Sequence, residues 1–167
     1  MQRDEKFNIA VHEASHAVIA YLLNVKIIKA SINDDLNENH AGVTEYCKDK
    51  IFESGTKDPE YEQQAREKWA KIALAGFIGQ REFSPGSDWA TYGQRDYFDA
   101  RKQLGLHMEV DEVAAREIMP IKKEVELLVI QSKKVIQSVA ENLIASGELS
   151  YEDVKRLIDE TPRLDSN

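Results

Sequence analysis

Two histidines and a glutamate lie inside an apolar segment near the start of the chain, in the pattern His12-Glu13-x-x-His16. Residues four apart share one face of an α-helix, so both imidazoles can bind the same metal ion. The flanking residues 9–11 and 17–23 are mostly Ile, Val, Ala and Leu, which predicts a helix that is buried around nearly its whole circumference. His and Glu side chains inside such a helix need partners, because unpaired polar groups are costly in a protein interior.

This spacing is typical of zinc peptidases. Two neutral His side chains bind zinc, a third protein ligand comes from elsewhere, and the open fourth position holds water. Zinc lowers the pKa of that water to about 7, and a nearby carboxylate takes its proton as it attacks a carbonyl. We therefore predict a zinc metallopeptidase with His12 and His16 as metal ligands and Glu13 as general base. The alternative for this segment is a pair of hydrogen-bonded structural histidines.

Length and composition indicate one globular domain over residues 1–161, with a frayed tail over 162–167. The 167 residues carry a net charge of −8, and their Lys and Arg residues are dispersed, which argues against nucleic acid as a partner. Cys47 is the single cysteine, so an internal disulfide is excluded and a cytoplasmic location is expected. The longest apolar stretch is the His-containing helix, which is too short and too polar for a membrane span, and no signal peptide precedes it.

Hydrophobic periodicity and turn residues predict a small β-hairpin among helices. The expected helices cover residues 4–23, 59–83 and 95–104, a segment at 109–118, a longer helix from Pro120 to near Gly147, and a final helix from a Ser150–Asp153 cap to Ile158. The expected strands cover 25–32 and 41–47. The small apolar residues at 72–79 should pack against the His-containing helix. Gly42–Tyr46 is a candidate edge for an extended substrate, with an ordinary hairpin strand as the equally weighted alternative.

The third metal ligand is not fixed by the pattern. A third His six residues after His16 would be position 22, which is Leu22, so that class of metallopeptidase is excluded. Oxygen and nitrogen donors remain as candidates elsewhere in the chain. They are His40, Glu82, Asp88, Asp96, Asp99 and His107.

A family resemblance narrows this choice. His12-Glu13-Ala14-Ser15-His16-Ala17 resembles the H-E-A-G-H-A helix of the peptidase domain of FtsH-type ATP-dependent zinc metalloproteases. The likeness continues in chain order, although the later segments are locally weak. Residues 41–44 are similar to the second strand of the family, 73–76 to its A-L-A/L-G-G/R-x-A-E helix, 96–100 to its D-x-x-x-A segment, and 124–158 to its closing helices.

The resemblance implies that Asp96 is the third zinc ligand, with Asp88 and then Glu82 as alternatives. A helix start at Asp96 would also suit its charge. It further implies self-association, since these peptidase domains form rings. Ser15 departs from the family's Gly, and Gln80 and Arg81 replace its usual acidic residues. The chain has no phosphate-binding G-x-x-x-x-G-K-[ST] loop, so it contains no ATPase module of its own.

The resulting expectation is a mainly α (α+β), zincin-like peptidase domain with a small β-hairpin and a C-terminal helical bundle. Its substrates should be peptides or unfolded protein, unless a separate ATPase delivers them. Two other hypotheses stay open. One is an inactive or regulatory binding module that retains the peptidase fold, and the other is a structural helical protein with incidental histidines.

Overall fold

The computed structural model describes residues 3–33, 42–47, 59–86 and 89–161. Within these ranges the chain is mainly helical with a small antiparallel sheet, which confirms the predicted α+β class. The elements in order are α1 (Arg3–Leu22), β1 (Ile27–Ile32), β2 (Gly42–Tyr46), α2 (Pro59–Phe83), α3 (Trp89–Gln103), α4 (Asp111–Gln131), α5 (Lys133–Ser146), β3 (Glu148–Ser150) and α6 (Tyr151–Glu160).

The His-containing helix α1 lies at the centre of the core. Its apolar residues are buried on several sides, because α2, α5 and the sheet all pack against it. This explains why its hydrophobic residues show no single stripe: a helix surrounded by neighbours is apolar all round. The helix ends where Asn24 adopts a left-handed conformation with φ of 57°, a conformation that Asn tolerates better than most residues.

The sheet has the strand order β2-β1-β3, so β1 is central and both of its neighbours are antiparallel to it. Ala30 pairs with Thr44 on one side and with Leu149 on the other. The predicted hairpin is present, and the strand β3 was missed because it is only three residues long. It lies between the left-handed Gly147 that ends α5 and the Ser150–Asp153 capping box that starts α6.

The second half of α2 packs closely against α1, as its small residues predicted. A side chain at Gly79 would begin 1.9 Å from the Ser15 hydroxyl, so only glycine allows the two helices to approach this closely at that point. The Ser15 hydroxyl itself donates a hydrogen bond to the Val11 carbonyl over 2.7 Å. The close approach of α1 and α2 also brings Gly76 of α2 against the side chains of His12 and His16.

Two predicted helix boundaries in the last third of the chain are wrong. Pro120 lies inside α4 rather than starting a helix. It is exposed, and the buried stripe of Ile118, Ile121 and Val125 holds the helix together across it. The predicted long helix is also divided at Ser132, where the backbone bends. No Gly or Pro marks Ser132, and helical hydrogen bonding continues through it, so the sequence carries no signal for this bend.

Helix α3 begins at Trp89, six residues before the predicted start at Arg95. Asp96 therefore lies in the interior of a helix, where it neither caps the first turn nor gains from the helix dipole as expected. The predicted loop over 48–58, the tail at 162–167 and two candidate ligands, His40 and Asp88, lie outside the described residues. None of the helices in the described ranges has the length and apolarity needed to cross a membrane.

Candidate metal centre

Three side chains from two helices meet in one cleft. His12 and His16 project from α1, and Asp96 projects from α3. The Nε2 atoms of the two histidines are 3.1 Å apart. The Oδ2 atom of Asp96 lies 3.3 Å from Nε2 of His12 and 3.6 Å from Nε2 of His16. The three potential ligand atoms thus form a compact triangle.

This triangle has the size that a tetrahedral zinc ion requires. Zinc bonds of about 2.0–2.1 Å at tetrahedral angles separate two ligand atoms by about 3.3 Å. The observed separations of 3.1, 3.3 and 3.6 Å lie around that value. Two imidazoles and one carboxylate are also an accepted ligand set for catalytic zinc, which keeps its fourth position for water or substrate. Donor types and spacing therefore both fit the metal.

The ring of His16 is oriented by the backbone of α2. Its Nδ1 lies 2.8 Å from the Ile72 carbonyl oxygen. A carbonyl can only accept, so Nδ1 carries the proton and Nε2 presents a lone pair to the cleft. Gln80, also on α2, forms a hydrogen bond with the side chain of His12. The Ile72 carbonyl is a second partner of the kind that fixes the orientation of a metal-binding histidine.

Gly76 leaves the space in which the two histidines meet. A Cβ atom at this position would lie 2.3 Å from Nε2 of His16 and 2.5 Å from Nε2 of His12, closer than any real contact. The Phe77 amide, next along α2, donates a hydrogen bond to Asp96 Oδ2 over 3.2 Å. One turn of α2 thus supports all three candidate ligands.

Burial moves the pKa values of the centre toward the neutral forms of its groups. It lowers the pKa of His12 to about 3, an effect to which His16 adds and which the hydrogen bond with Gln80 opposes. It raises the pKa of Asp96 to about 8, against the hydrogen bond from Phe77. Neutral imidazoles are the form that binds metals, and a cation would supply the countercharge that a buried Asp96 carboxylate requires.

Glu13 lies beside the triangle and is held by β2. The Thr44 hydroxyl donates to Oε2 of Glu13 over 2.8 Å. Gly42 makes room for the same side chain, because a Cβ there would lie 2.7 Å from Glu13 Cγ. Burial raises the pKa of Glu13, while the electrostatic interaction with His16 and the Thr44 hydrogen bond lower it in part. A carboxylate positioned in this way, with a raised pKa, is suited to accept a proton near neutral pH.

The cleft around the centre has a volume of about 880 Å³ and opens to solvent on one side. Helices α1, α2 and α3 form its floor, and β2 forms one wall with residues 42–46. Because β2 pairs with β1 alone, it is an edge strand among the described elements. An edge strand beside a reactive centre offers unpaired backbone groups to an extended peptide.

The other candidate ligands among the described residues are not part of the group of three. Glu82 forms a surface ion pair with Lys133 Nζ at 2.8 Å. Asp99 lines the cleft but is outside the group of three, and His107 is exposed. The structure thus brings His12, His16 and Asp96 together, while their binding of a metal stays a prediction.

The individual roles of Thr44, Gln80 and Gly76 were not foreseen from the sequence. The sequence predicts Thr44 only as part of the candidate edge strand, and Gly76 only as part of the small apolar segment that packs against α1. Both also lie in segments that resemble the family, whereas Gln80 departs from it. The strand periodicity of β2 was the available signal for the inward orientation of Thr44, since every second residue of a strand faces the same side. No family model matches this chain, and no curated protein matches it significantly. The chemistry of the centre is therefore inferred from its own residues.

Proposed function

We propose that this chain is a zinc-dependent metallopeptidase that hydrolyses peptide bonds in extended or unfolded polypeptides. The observation that carries this proposal is the triangle of His12, His16 and Asp96, with Glu13 held next to it in an open cleft. A structural zinc site normally has four protein ligands, whereas three ligands and an accessible cleft suit catalysis.

Each residue has a part that follows from its position. A zinc ion bound by His12, His16 and Asp96 would supply Lewis acidity, acidifying water and polarising the scissile carbonyl. Glu13 accepts the proton of the attacking water and passes it to the leaving nitrogen. Thr44 keeps Oε2 of Glu13 in a hydrogen bond, which fixes the orientation of the carboxylate.

The edge strand β2 supports an extended peptide as the substrate. A peptide paired with β2 would lie along the wall of the cleft, where the centre can reach its backbone. Val43 and Ile28, both exposed at the cleft, offer apolar contacts for side chains of that peptide. Folded substrates would not present such a segment, so we propose peptides, flexible segments or unfolded protein.

We also propose a relationship to the peptidase domains of FtsH-type proteases. Five segments of the chain resemble that family, and the supporting observation is that four of them, residues 12–17, 41–44, 73–76 and 96–100, contribute residues to one cleft. Gly42 and Thr44 contact Glu13, Gly76 lies under the histidines, and Asp96 completes the triangle. A separate ATPase that delivers substrate, and self-association into a ring, belong to this proposal.

Replacement of the general base tests the function. We expect Glu13→Gln to keep about one zinc per chain and to lose casein cleavage by at least about 10²-fold, because only proton transfer is removed. Zinc content by elemental analysis and cleavage of fluorescent casein are measured on the same preparations. Glu82→Gln, a surface variant of the same type, is the control and should cleave at the wild-type rate.

The outcomes separate the hypotheses. Equal cleavage by Glu13→Gln and wild type would contradict the mechanism. Bound zinc without cleavage by any variant would favour the regulatory binding module. Absence of zinc from the purified wild type, after zinc has been supplied, would favour the structural protein.

A further inference from the structure

The inner face of β2 carries three residues toward the centre. Burial along the strand alternates, with Gly42, Thr44 and Tyr46 facing inward and Val43 and Glu45 exposed. Two of the inward residues already contact Glu13. Tyr46 is the third, and it lines the same cleft as the histidines and Asp96. The strand register therefore places a phenol next to the proposed reaction site.

The ring of Tyr46 is held in place by Trp69 of α2. The two rings meet edge to face, with centroids 5.1 Å apart and planes at 88°. This geometry is the favoured one for aromatic pairs. Tyr46 also packs against the hydrophobic core, so the ring has little freedom to turn away from the cleft.

The hydroxyl of Tyr46 is a hydrogen-bond donor that has no role in the mechanism described above. Burial and the nearby carboxylates of Glu13 and Asp96 raise its pKa well above the ordinary value, so it keeps its proton at neutral pH. Within the part of the chain that the structure describes, no hydrogen bond occupies this hydroxyl. A fixed, protonated donor in a partly desolvated cleft is suited to stabilise negative charge that develops during a reaction.

We propose that Tyr46 is a further catalytic residue, whose hydroxyl donates a hydrogen bond to the substrate carbonyl oxygen as that oxygen becomes negatively charged. This inference rests on the proposed peptidase function. In the step concerned, the oxygen of water bonds to the carbonyl carbon, the carbonyl π pair moves to oxygen, and the water proton passes to Glu13. Tyr46 keeps its own proton throughout. The C–N bond then breaks, and the leaving nitrogen takes the proton from Glu13.

The variant Tyr46→Phe tests this role, because it removes the hydroxyl and keeps the ring against Trp69. Loss of one such donor costs about 10²-fold in kcat, and KM should change little because the bond strengthens only as charge develops. Zinc content and melting temperature should equal those of wild type. Tyr21→Phe is the matched control, since Tyr21 is half-buried and packs against Tyr151 instead of lining the cleft.

A binding measurement provides a second readout. A phosphinic peptide carries a tetrahedral anion where the reacting carbonyl would be, so it should bind Tyr46→Phe at least tenfold more weakly than wild type in calorimetry. A cleaved product peptide, which lacks that anion, should bind both chains equally. A merely structural role for Tyr46 would weaken both ligands alike.

Unchanged kcat and unchanged phosphinic-peptide affinity in Tyr46→Phe, with an active wild type, would overturn the role of Tyr46 and leave the peptidase proposal standing. Loss of zinc or of thermal stability in Tyr46→Phe would also overturn it, in favour of a structural role. A zinc-loaded wild type that cleaves nothing would instead overturn the peptidase proposal, and this inference with it.

Discussion

At the scale of single residues, the centre depends on side chains that other residues hold in position. The Ile72 carbonyl fixes the tautomer of His16, and the Thr44 hydroxyl fixes the carboxylate of Glu13. The Phe77 amide hydrogen-bonds Asp96, although that contact alone does not offset the burial that favours the neutral acid. A divalent cation is the partner that would make this arrangement favourable for an ionised Asp96.

Asp96 is the candidate ligand that joins α3 to the two histidines, so the proposed zinc site should depend on it. We expect Asp96→Ala to lose stoichiometric zinc, because two histidines alone bind zinc much more weakly than a complete set of three ligands. Asp99→Ala is the matched control: Asp99 lies one helical turn further along α3 in the same cleft, yet outside the ligand group, and its variant should retain zinc. Zinc in both proteins, measured by elemental analysis with folding checked by circular dichroism, would mean that Asp96 is not a ligand.

The sequence predicted the residues of the centre to different extents. His12 and His16 were predictable because a helix places residues four apart on one face, and Glu13 was predictable because it belongs to the same H-E-x-x-H pattern. The prediction of Asp96 depended on a family resemblance, because a candidate ligand on another helix leaves no local periodic signal. Thr44 and Gln80 act through contacts between distant segments, and such contacts depend on tertiary packing that local patterns do not encode.

At the scale of elements, the centre depends on how closely α2 approaches α1. Two glycines of α2 face α1 and accommodate different side chains. Gly76 leaves space for the histidine rings, and Gly79 leaves space for Ser15. Small apolar residues made this approach predictable. The predictions failed where tertiary packing overrode local signals, as at Pro120 inside α4 and at the short strand β3.

The contact between Gly79 and Ser15 can be tested by a pair of substitutions. We expect Gly79→Ala to destabilise the protein by about 1–3 kcal/mol, because its methyl group would overlap the Ser15 side chain. Adding Ser15→Gly should recover part of this loss, since it removes both clashing atoms. Adding Ser15→Ala should recover less, because its Cβ stays 2.6 Å from the new methyl group. Urea unfolding measures the free energies of the wild type, of Gly79→Ala, Ser15→Gly and Ser15→Ala alone, and of the two double variants. Additive effects would show that these helices do not meet as described.

At the scale of the whole molecule, α1 links the candidate metal centre to the core. The same helix that carries His12, Glu13 and His16 is packed between α2, α5 and the sheet. A ligand that joins α1 to α3 should therefore stabilise the entire fold and not the cleft alone. The α+β class and most helices were predictable from hydrophobic periodicity. The placement of α3 relative to α2 was not, because contacts between distant segments leave no local signal in the sequence.

Zinc should raise the thermal stability of the chain. At free zinc about 100-fold above Kd, binding to the folded state alone adds about 2.7 kcal/mol. For a chain of this size that corresponds to a rise in Tm of about 5–10 °C. Differential scanning calorimetry with and without chelator measures the shift. The variant His16→Ala serves as control, and an equal rise in that variant would mean that zinc binds elsewhere.

The central claim, that one zinc ion in this cleft makes the chain a peptidase, is tested most directly by a titration of activity. The purified wild type is stripped with chelator, dialysed, and assayed for cleavage of fluorescent casein as zinc is added back in fractions of one equivalent. We expect no cleavage at the start and a linear rise that ends at one zinc per chain. Cleavage that persists in the stripped protein, or none at any zinc content, would contradict the account.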